Sequence, residues 1–279
     1  MKTIRTRALE AEHHATLTPG DDERFSGYGV MGLTFSTGHV LAMRRFPVTS
    51  VGPGYTSVWL RRPSGSWSIY ATAAPDVSCA RYFSAGLTEA VQCDVGVEWT
   101  GDTSFTVAIG RELDLTWDVE LGSTPVTAAM SAVMSVLPNK LLSSAAFLKT
   151  MGSAAGPMLS AGHLGLAGSV PNKQGFRAKP RRMWFISRST ATLGGEDLGT
   201  PQPLTVQARL GDFWIPQRGI FVIGASSFDR FDPARHLPAT TRRSAQPVTP
   251  PAAPPARPGC RPPPSRRPIS GGRGRCAVR

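Results

Sequence analysis

The side chains best typed for chemistry are concentrated in residues 89–121, EAVQCDVGVEWTGDTSFTVAIGRELDLTWDVEL. Asp94, Glu98, Asp114, Asp118 and Glu120 fall there at even positions, with Thr116 among them. Even spacing places carboxylates on one face of a strand, where neighbours across two strands can act as an acid–base pair or bind a hard metal. Such a pair needs an enclosed pocket that drives its pKa values apart, and nothing in this stretch implies one. A solvated sheet face accounts for the pattern more simply.

Arg44-Arg45 interrupt the apolar run HVLAMRRFPV (39–48). Alternation sends one of the two inward, where it requires an acid or an anionic ligand, unless the strand is an edge from which both reach solvent. Lys173, Arg177, Lys179, Arg181, Arg182 and Arg188 alternate with Phe176, Trp184 and Phe185. That mixture suits a nucleic-acid surface as well as the wetted face of a strand. His39 and His163 stand alone at strand starts, and His13-His14 and His236 fall near the ends, so a His-based triad has no partners. There is no Gly-x-Ser-x-Gly, no His-Glu-x-x-His, no Walker loop, and no Gly-x-Gly-x-x-Gly between a strand and a helix. Neither a cofactor nor a metal is expected. The cysteines, Cys79, Cys93, Cys260 and Cys276, show no Cys-x-x-Cys spacing. A Cys79–Cys93 bridge is open, but reduced core thiols fit better and point to a cytoplasmic setting.

The elements that position these groups follow from periodicity. Val91, Cys93, Val95, Val97 and Trp99 are odd-numbered and apolar, as are Phe105, Val107 and Ile109, then Leu113, Leu115, Trp117, Val119 and Leu121. A period of two over three runs predicts a three-stranded antiparallel meander with its odd face buried. Apolar residues oppose one another if Trp99 pairs with Phe105, Val97 with Val107 and Val95 with Ile109. The second hairpin does the same with Ile109 opposite Leu113, Val107 opposite Leu115 and Phe105 opposite Trp117. Four more strands are expected at 27–35, 39–48, 55–62 and 67–73, with Met31, Leu33 and Phe35 sharing a face of the first.

Residues 124–161 carry two lysines and no acid, and Val126, Met130, Val133, Met134 and Leu137 recur at helical spacing. Pro138-Asn139 divides the segment, and Leu141, Ala145, Leu148 and Met151 begin a second run, so two short helices are expected. They either complete the core or form an adaptable lid or lipid-contacting surface. Strands resume at 163–170, 176–189, 204–210 and 220–226. The chain thus divides into a polar lead-in (1–26, with a helical turn around Ile4–Ala11), a first β section (27–123), the helical insert (124–161), a second β section (162–232) and a tail (233–279).

Of the net charge of +12, +10 belongs to that tail. From Pro233 onward there are ten Arg, twelve Pro and no acid, which leaves 21 basic and 19 acidic residues in 1–232. The tail cannot bury enough surface to offset chain entropy, so disorder is expected there. Weak anionic contacts suit its composition; so does GC-rich DNA translated out of frame. The N-terminus lacks the apolar run of a secretory signal, and no stretch reads as a transmembrane helix.

The fold class is therefore mainly β: an antiparallel barrel, or a two-part barrel or sandwich, with a short helical insert. The run of short-turn strands, Trp59 and Trp67 beside a turn, the helical interruption and the closing hairpins resemble lipocalin-like (calycin) proteins, the nearer likeness being the two-barrel type related to carotenoid hydratases. Gly27-Tyr28-Gly29 stands where lipocalins carry Gly-x-Trp, so no catalytic residue carries over. The resemblance implies an interior cavity for an apolar small molecule, lipid or isoprenoid-like, covered by the insert. Tyr28, Arg44, Arg45, Tyr55, Trp59, Met130, Met134 and Leu148 are the candidate contacts. Two other functions stay open: an enzyme acting on a lipid or isoprenoid through strand carboxylates, and nucleic-acid binding through 173–188 and the tail. A cavity with a buried Asp or Glu beside Tyr28, Tyr55 or Tyr70 favours the enzyme, and an apolar cavity without titratable groups favours the binder.

Overall fold

A computed structural model describes residues 2–238. Of the expected disordered tail, residues 239–279, with Cys260 and Cys276, lie outside the described residues. The chain opens with helix α1 (Ile4–His13), capped by Thr3, whose hydroxyl accepts the Thr6 N–H at 3.1 Å. Strands β1 (Glu23–Thr34), β2 (Val40–Thr49), β3 (Tyr55–Arg61) and β4 (Trp67–Ala71) follow. A one-turn helix α2 (Ala80–Phe83) precedes β5 (Glu89–Gln92), β6 (Gly96–Trp99), β7 (Ser104–Ile109) and β8 (Leu115–Gly122). Three helices come next: α3 (Pro125–Val136), α4 (Asn139–Leu142) and α5 (Ala145–Met158). The described fold then adds β9 (Ala167–Ser169), β10 (Gly175–Leu193), β11 (Glu196–Asp197), β12 (Arg209–Leu210), β13 (Phe213–Trp214) and β14 (Ile220–Phe228).

Twelve strands form one sheet in the order β5-β4-β3-β2-β1-β14-β10-β8-β7-β6, with β9 and β11 also pairing with β10. β14 joins the two β sections by running antiparallel to both β1 and β10. The sheet curls into a half-barrel. Its inner face brings Leu41 and Met43 of β2 and Val58 and Leu60 of β3 into one cluster with Val107 of β7 and Trp117 of β8, from the far end of the order. Ile4 and Ala8 of α1 complete that cluster, so the amphipathic lead-in helix is part of the core.

The meander differs from expectation in two ways. Its first strand is broken: β5 pairs in parallel with β4, while β6 pairs with β7. Val95 therefore has no ladder partner in Ile109, and the seven strands are not all antiparallel. The second hairpin pairs Phe105 with Val119, Val107 with Trp117 and Ile109 with Leu115, two residues from the expected register. A longer turn is the cause. Gly110 O accepts from both Leu113 N at 3.2 Å and Asp114 N at 2.6 Å, with Asp114 at φ 48°. A shift of two preserves the side-chain period, and Phe105, Val107, Leu115, Trp117 and Val119 are buried as expected.

The first strand also carries a surprise. Leu33 and Phe35 join the inner core, but Met31 turns to the opposite face, because the β1–β2 register shifts between Val30 and Leu33.

In the insert the expected two helices are three. Thr124 opens α3 with a reciprocal capping box to Thr127 and Pro125 at its first turn; Pro138 ends it; Ser144 caps α5. The expected apolar stripes are buried in part: Met130, Met134 and Leu137, then Ala145, Leu148 and Met151, turn toward the protein, whereas Val126, Val133 and Leu141 are exposed and Thr127 and Ser131 take buried places. The reason is on β10, which between its pairings with β9 (175–177) and β8 (185–193) is also shifted in register with β14 and has no strand partner on that edge among the described residues. Ser131 Oγ donates to Met183 O at 3.2 Å and accepts from Met183 N at 2.9 Å, so a hydroxyl takes over hydrogen bonds that the irregular strand edge lacks.

Candidate functional site

On the face opposite the inner core, β1, β2, β3, β10 and β14 are roofed by α3 and α5, and the two layers leave a cavity of ≈ 140 Å³ between them. The sheet supplies Phe25, Arg44, Phe46, Tyr55, Trp59 and Phe228 to its wall; the roof supplies Met130, Met134, Met151, Ala155 and Leu159. Cys79, Phe83 and Phe213 also line it. Alternation explains the sheet's share, since Arg44 and Phe46 on β2, like Tyr55 and Trp59 on β3, are two or four residues apart. Gly29 lets β1 lie close beneath: a Cβ there would meet Met43 O. Gly152 does the same for the roof, where a Cβ on α5 would meet Leu164 O.

Arg44 is the buried arginine of the pair. It is 5% exposed and donates through Nη1 to Val30 O and to Met43 O at 2.9 Å, and through Nη2 to Met31 O at 3.3 Å. Its guanidinium carbon lies 5.2 Å from the centre of the Trp59 ring and 5.5 Å from that of Phe213. Burial lowers its pKa to about 10, against the opposing influence of Cys79 and Tyr55, which leaves it charged at neutral pH. Beside it, Tyr55 Oη and Cys79 Sγ are hydrogen-bonded at 3.1 Å. Burial raises the pKa of both, so phenol and thiol stay protonated, and the thiol is no nucleophile at neutral pH.

Of the eight residues singled out from the sequence, Tyr28, Arg44, Tyr55, Trp59, Met130 and Met134 line this cavity. Arg45 and Leu148 do not. Arg45 projects to the inner face, where Glu12 of α1 accepts from its Nε at 2.9 Å and also from its Nη2. Tyr28 donates its hydroxyl to the other Glu12 oxygen at 3.0 Å, and its ring packs on Phe221 in the inner core. Tyr28 therefore borders the cavity while its hydroxyl works elsewhere. Leu148 is buried with Leu142 and Ala167 in a separate small cluster. Sequence reasoning missed Phe46, Met151, Cys79 and Phe213. The first two were within reach, Phe46 sharing the Arg44 face and Met151 lying on the second helical run. Cys79 and Phe213 arrive from loops and a two-residue strand, which carry no period.

The other chemistry-bearing groups stand apart. Asp94, Glu98, Asp114, Thr116 and Asp118 are exposed and Glu120 is half-buried; Asp118 accepts from Thr106 at 2.6 Å, as a wetted sheet face requires. Two members of the basic run are firmly engaged within the fold. Arg177 reaches Asp229 at 2.9 Å and Asp22 at 3.4 Å, and Arg181 donates to Met134 O at 2.9 Å and Leu137 O at 2.7 Å at the end of α3. Glu23 accepts from Arg81 at 2.9 Å, Tyr82 at 2.6 Å and Gln174 at 3.2 Å. Burial works to raise its pKa, and those donors together hold the carboxyl below its usual range. His236, expected in a flexible end, is buried and accepts the Asp232 N–H at 2.9 Å. Cys79 and Cys93 are free and belong to different core clusters. Among the described residues no group of His, Cys, Asp and Glu could hold a metal, and no helix is long and apolar enough to cross a membrane.

No family model matches this chain, and no curated protein matches it. Among solved structures it is similar to an acetoacetate decarboxylase from Legionella pneumophila subsp. pneumophila str. Philadelphia 1, at 9% identity and a TM-score of 0.36, over 80% of this chain and 93% of that one. A likeness that slight carries neither fold nor function across.

Proposed function

We propose that this protein binds a small apolar molecule between its sheet and its helical roof. The observation that carries the reading is the makeup of the cavity wall, aromatic below and methionine-rich above, with neither Asp nor Glu in it. Such a wall gains from apolar contents at about 25 cal/mol per Å² of surface removed from water, and flexible methionine side chains adapt to more than one shape. The site differs in place from the expected barrel interior, since the inside of the curl is filled by core side chains and α1. Its size sets a limit. A cavity of about 150 Å³ accommodates benzene, so a longer lipid or isoprenoid chain enters only if the roof moves.

The enzyme alternative asked for a buried Asp or Glu beside Tyr28, Tyr55 or Tyr70. Tyr28 and Tyr70 do each donate to a carboxylate, of Glu12 and of Glu89, but neither Glu12 nor Glu89 lines the cavity. The enzyme's criterion is therefore not met, and the binder's is met only in the lack of an acid, since Arg44, Lys179, Tyr55 and Cys79 line the wall. Nucleic-acid binding through 173–188 is disfavoured by the internal engagement of Arg177 and Arg181. Native mass spectrometry of protein purified from its own host tests the reading. A bound small molecule released by gentle activation is the expected result, and bare protein that also takes up no hexan-1-ol would reject it.

A further inference from the structure

The cavity holds a buried cation with no anion beside it. Among the described residues no carboxylate lies within ion-pair distance of Arg44. Its three hydrogen-bond acceptors, the carbonyls of Val30, Met31 and Met43, are neutral, and its Nε has no acceptor among the described residues. Trp59, whose ring lies against the guanidinium, likewise has a buried Nε1 without an acceptor. A buried charge is tolerated when it is paired as well as hydrogen-bonded. Here the hydrogen bonds are supplied by the chain and the countercharge is not. The residue also borders space that a ligand could fill, with Met130 and Met134 of the roof lining the same cavity.

We propose that the occupant of this cavity is a small organic acid, its carboxylate paired with Arg44 and its hydrocarbon part lying against the methionines. This inference rests on the apolar-binding reading above and narrows it to a ligand class. The volume of ≈ 140 Å³ selects a short alkyl or single-ring acid over a long-chain one while the roof is closed. The acid binds ionised, so the guanidinium gains the charge-assisted bond it lacks. A purely structural role for Arg44 makes a different prediction. If its three carbonyl bonds serve only to brace the irregular β1–β2 pairing between Val30 and Leu33, the cavity has no preference for charge.

Calorimetric titration of the full chain at pH 7 with hexanoate and with hexan-1-ol separates the two. Hexanoate should bind at least about tenfold more tightly, the worth of one charge-assisted hydrogen bond. Arg44→Met should abolish that preference while still binding the alcohol, and Arg44→Lys should retain part of it. If Arg44→Met fails to fold, Lys179→Met, which removes the other cation lining the cavity, should leave the preference for the acid intact. Alcohol bound as tightly as acid, or a preference that survives Arg44→Met, overturns the inference and leaves the cavity reading intact. Binding of neither ligand overturns both.

Discussion

Residues 91–121 and 124–158 adjoin in sequence and obey different rules. In β7 and β8 the odd apolar residues are buried and the even polar ones largely exposed, so the pattern in the chain is the pattern in the fold. In α3 the apolar stripe is split, Met130 and Met134 facing in and Val126 and Val133 facing out, while Thr127 and Ser131 are inside. The difference teaches what each element answers to. A strand's neighbours bond to its backbone along the whole ladder, which leaves its side chains to be sorted by water alone. A helix satisfies its own backbone and is free to turn toward whatever its neighbour needs. Beside the irregular β10 that need is a hydroxyl for Met183.

The largest effect that can break this comparison belongs to the strands. Trp117 is fully buried, with its Nε1 donating to Ser189 Oγ at 2.9 Å. Trp117→Asp should abolish folding, because losing a buried Trp costs about 3–5 kcal/mol before the penalty of the charge. Native circular dichroism and a cooperative melt in that variant would undo the assignment of faces. Val97, only half-buried, should tolerate Asp better than Trp117 does, an ordering the sequence alone does not provide.

A smaller effect tests the helix. Ser131→Val should destabilise by about 1–3 kcal/mol although it adds apolar surface, since it strands the buried N–H and C=O of Met183. Val133→Ser, on the exposed stripe, should change stability by less than about 0.5 kcal/mol. Denaturant midpoints decide: the reverse order would make Val133 the buried position and Ser131 the exposed one. The smallest expected effect is that of Asp118→Asn, where the amide oxygen can still accept from Thr106 and only a surface charge is lost, so the midpoint should move within about 0.5 kcal/mol.

Legibility in the sequence follows the same division. The mainly β class, the buried odd face of β7 and β8 and the burial of one arginine all follow from a period of two. What that period could not supply was anything set by an irregularity. The long turn at Gly110–Asp114 moved a register, the shift after Val30 sent Met31 across the sheet, and the break near Cys93 carried the chain from one edge to the other. The cavity was legible where it is built on regular β2 and β3, through Arg44, Tyr55 and Trp59. It was illegible where long-range packing brings Cys79 and Phe213 to the wall.

The roof over the cavity is tied to β10 by the Ser131 and Arg181 hydrogen bonds and otherwise packs by apolar contact, so the contents of the cavity should stabilise it. Hydrogen exchange on the full chain, with and without hexan-1-ol, tests it most directly. In the empty protein, backbone amides of 125–158 should exchange faster than those of 104–122, and the alcohol should slow the first group and leave the second unaltered. Equal protection of the two segments, indifferent to the ligand, would contradict the account and make the insert ordinary core.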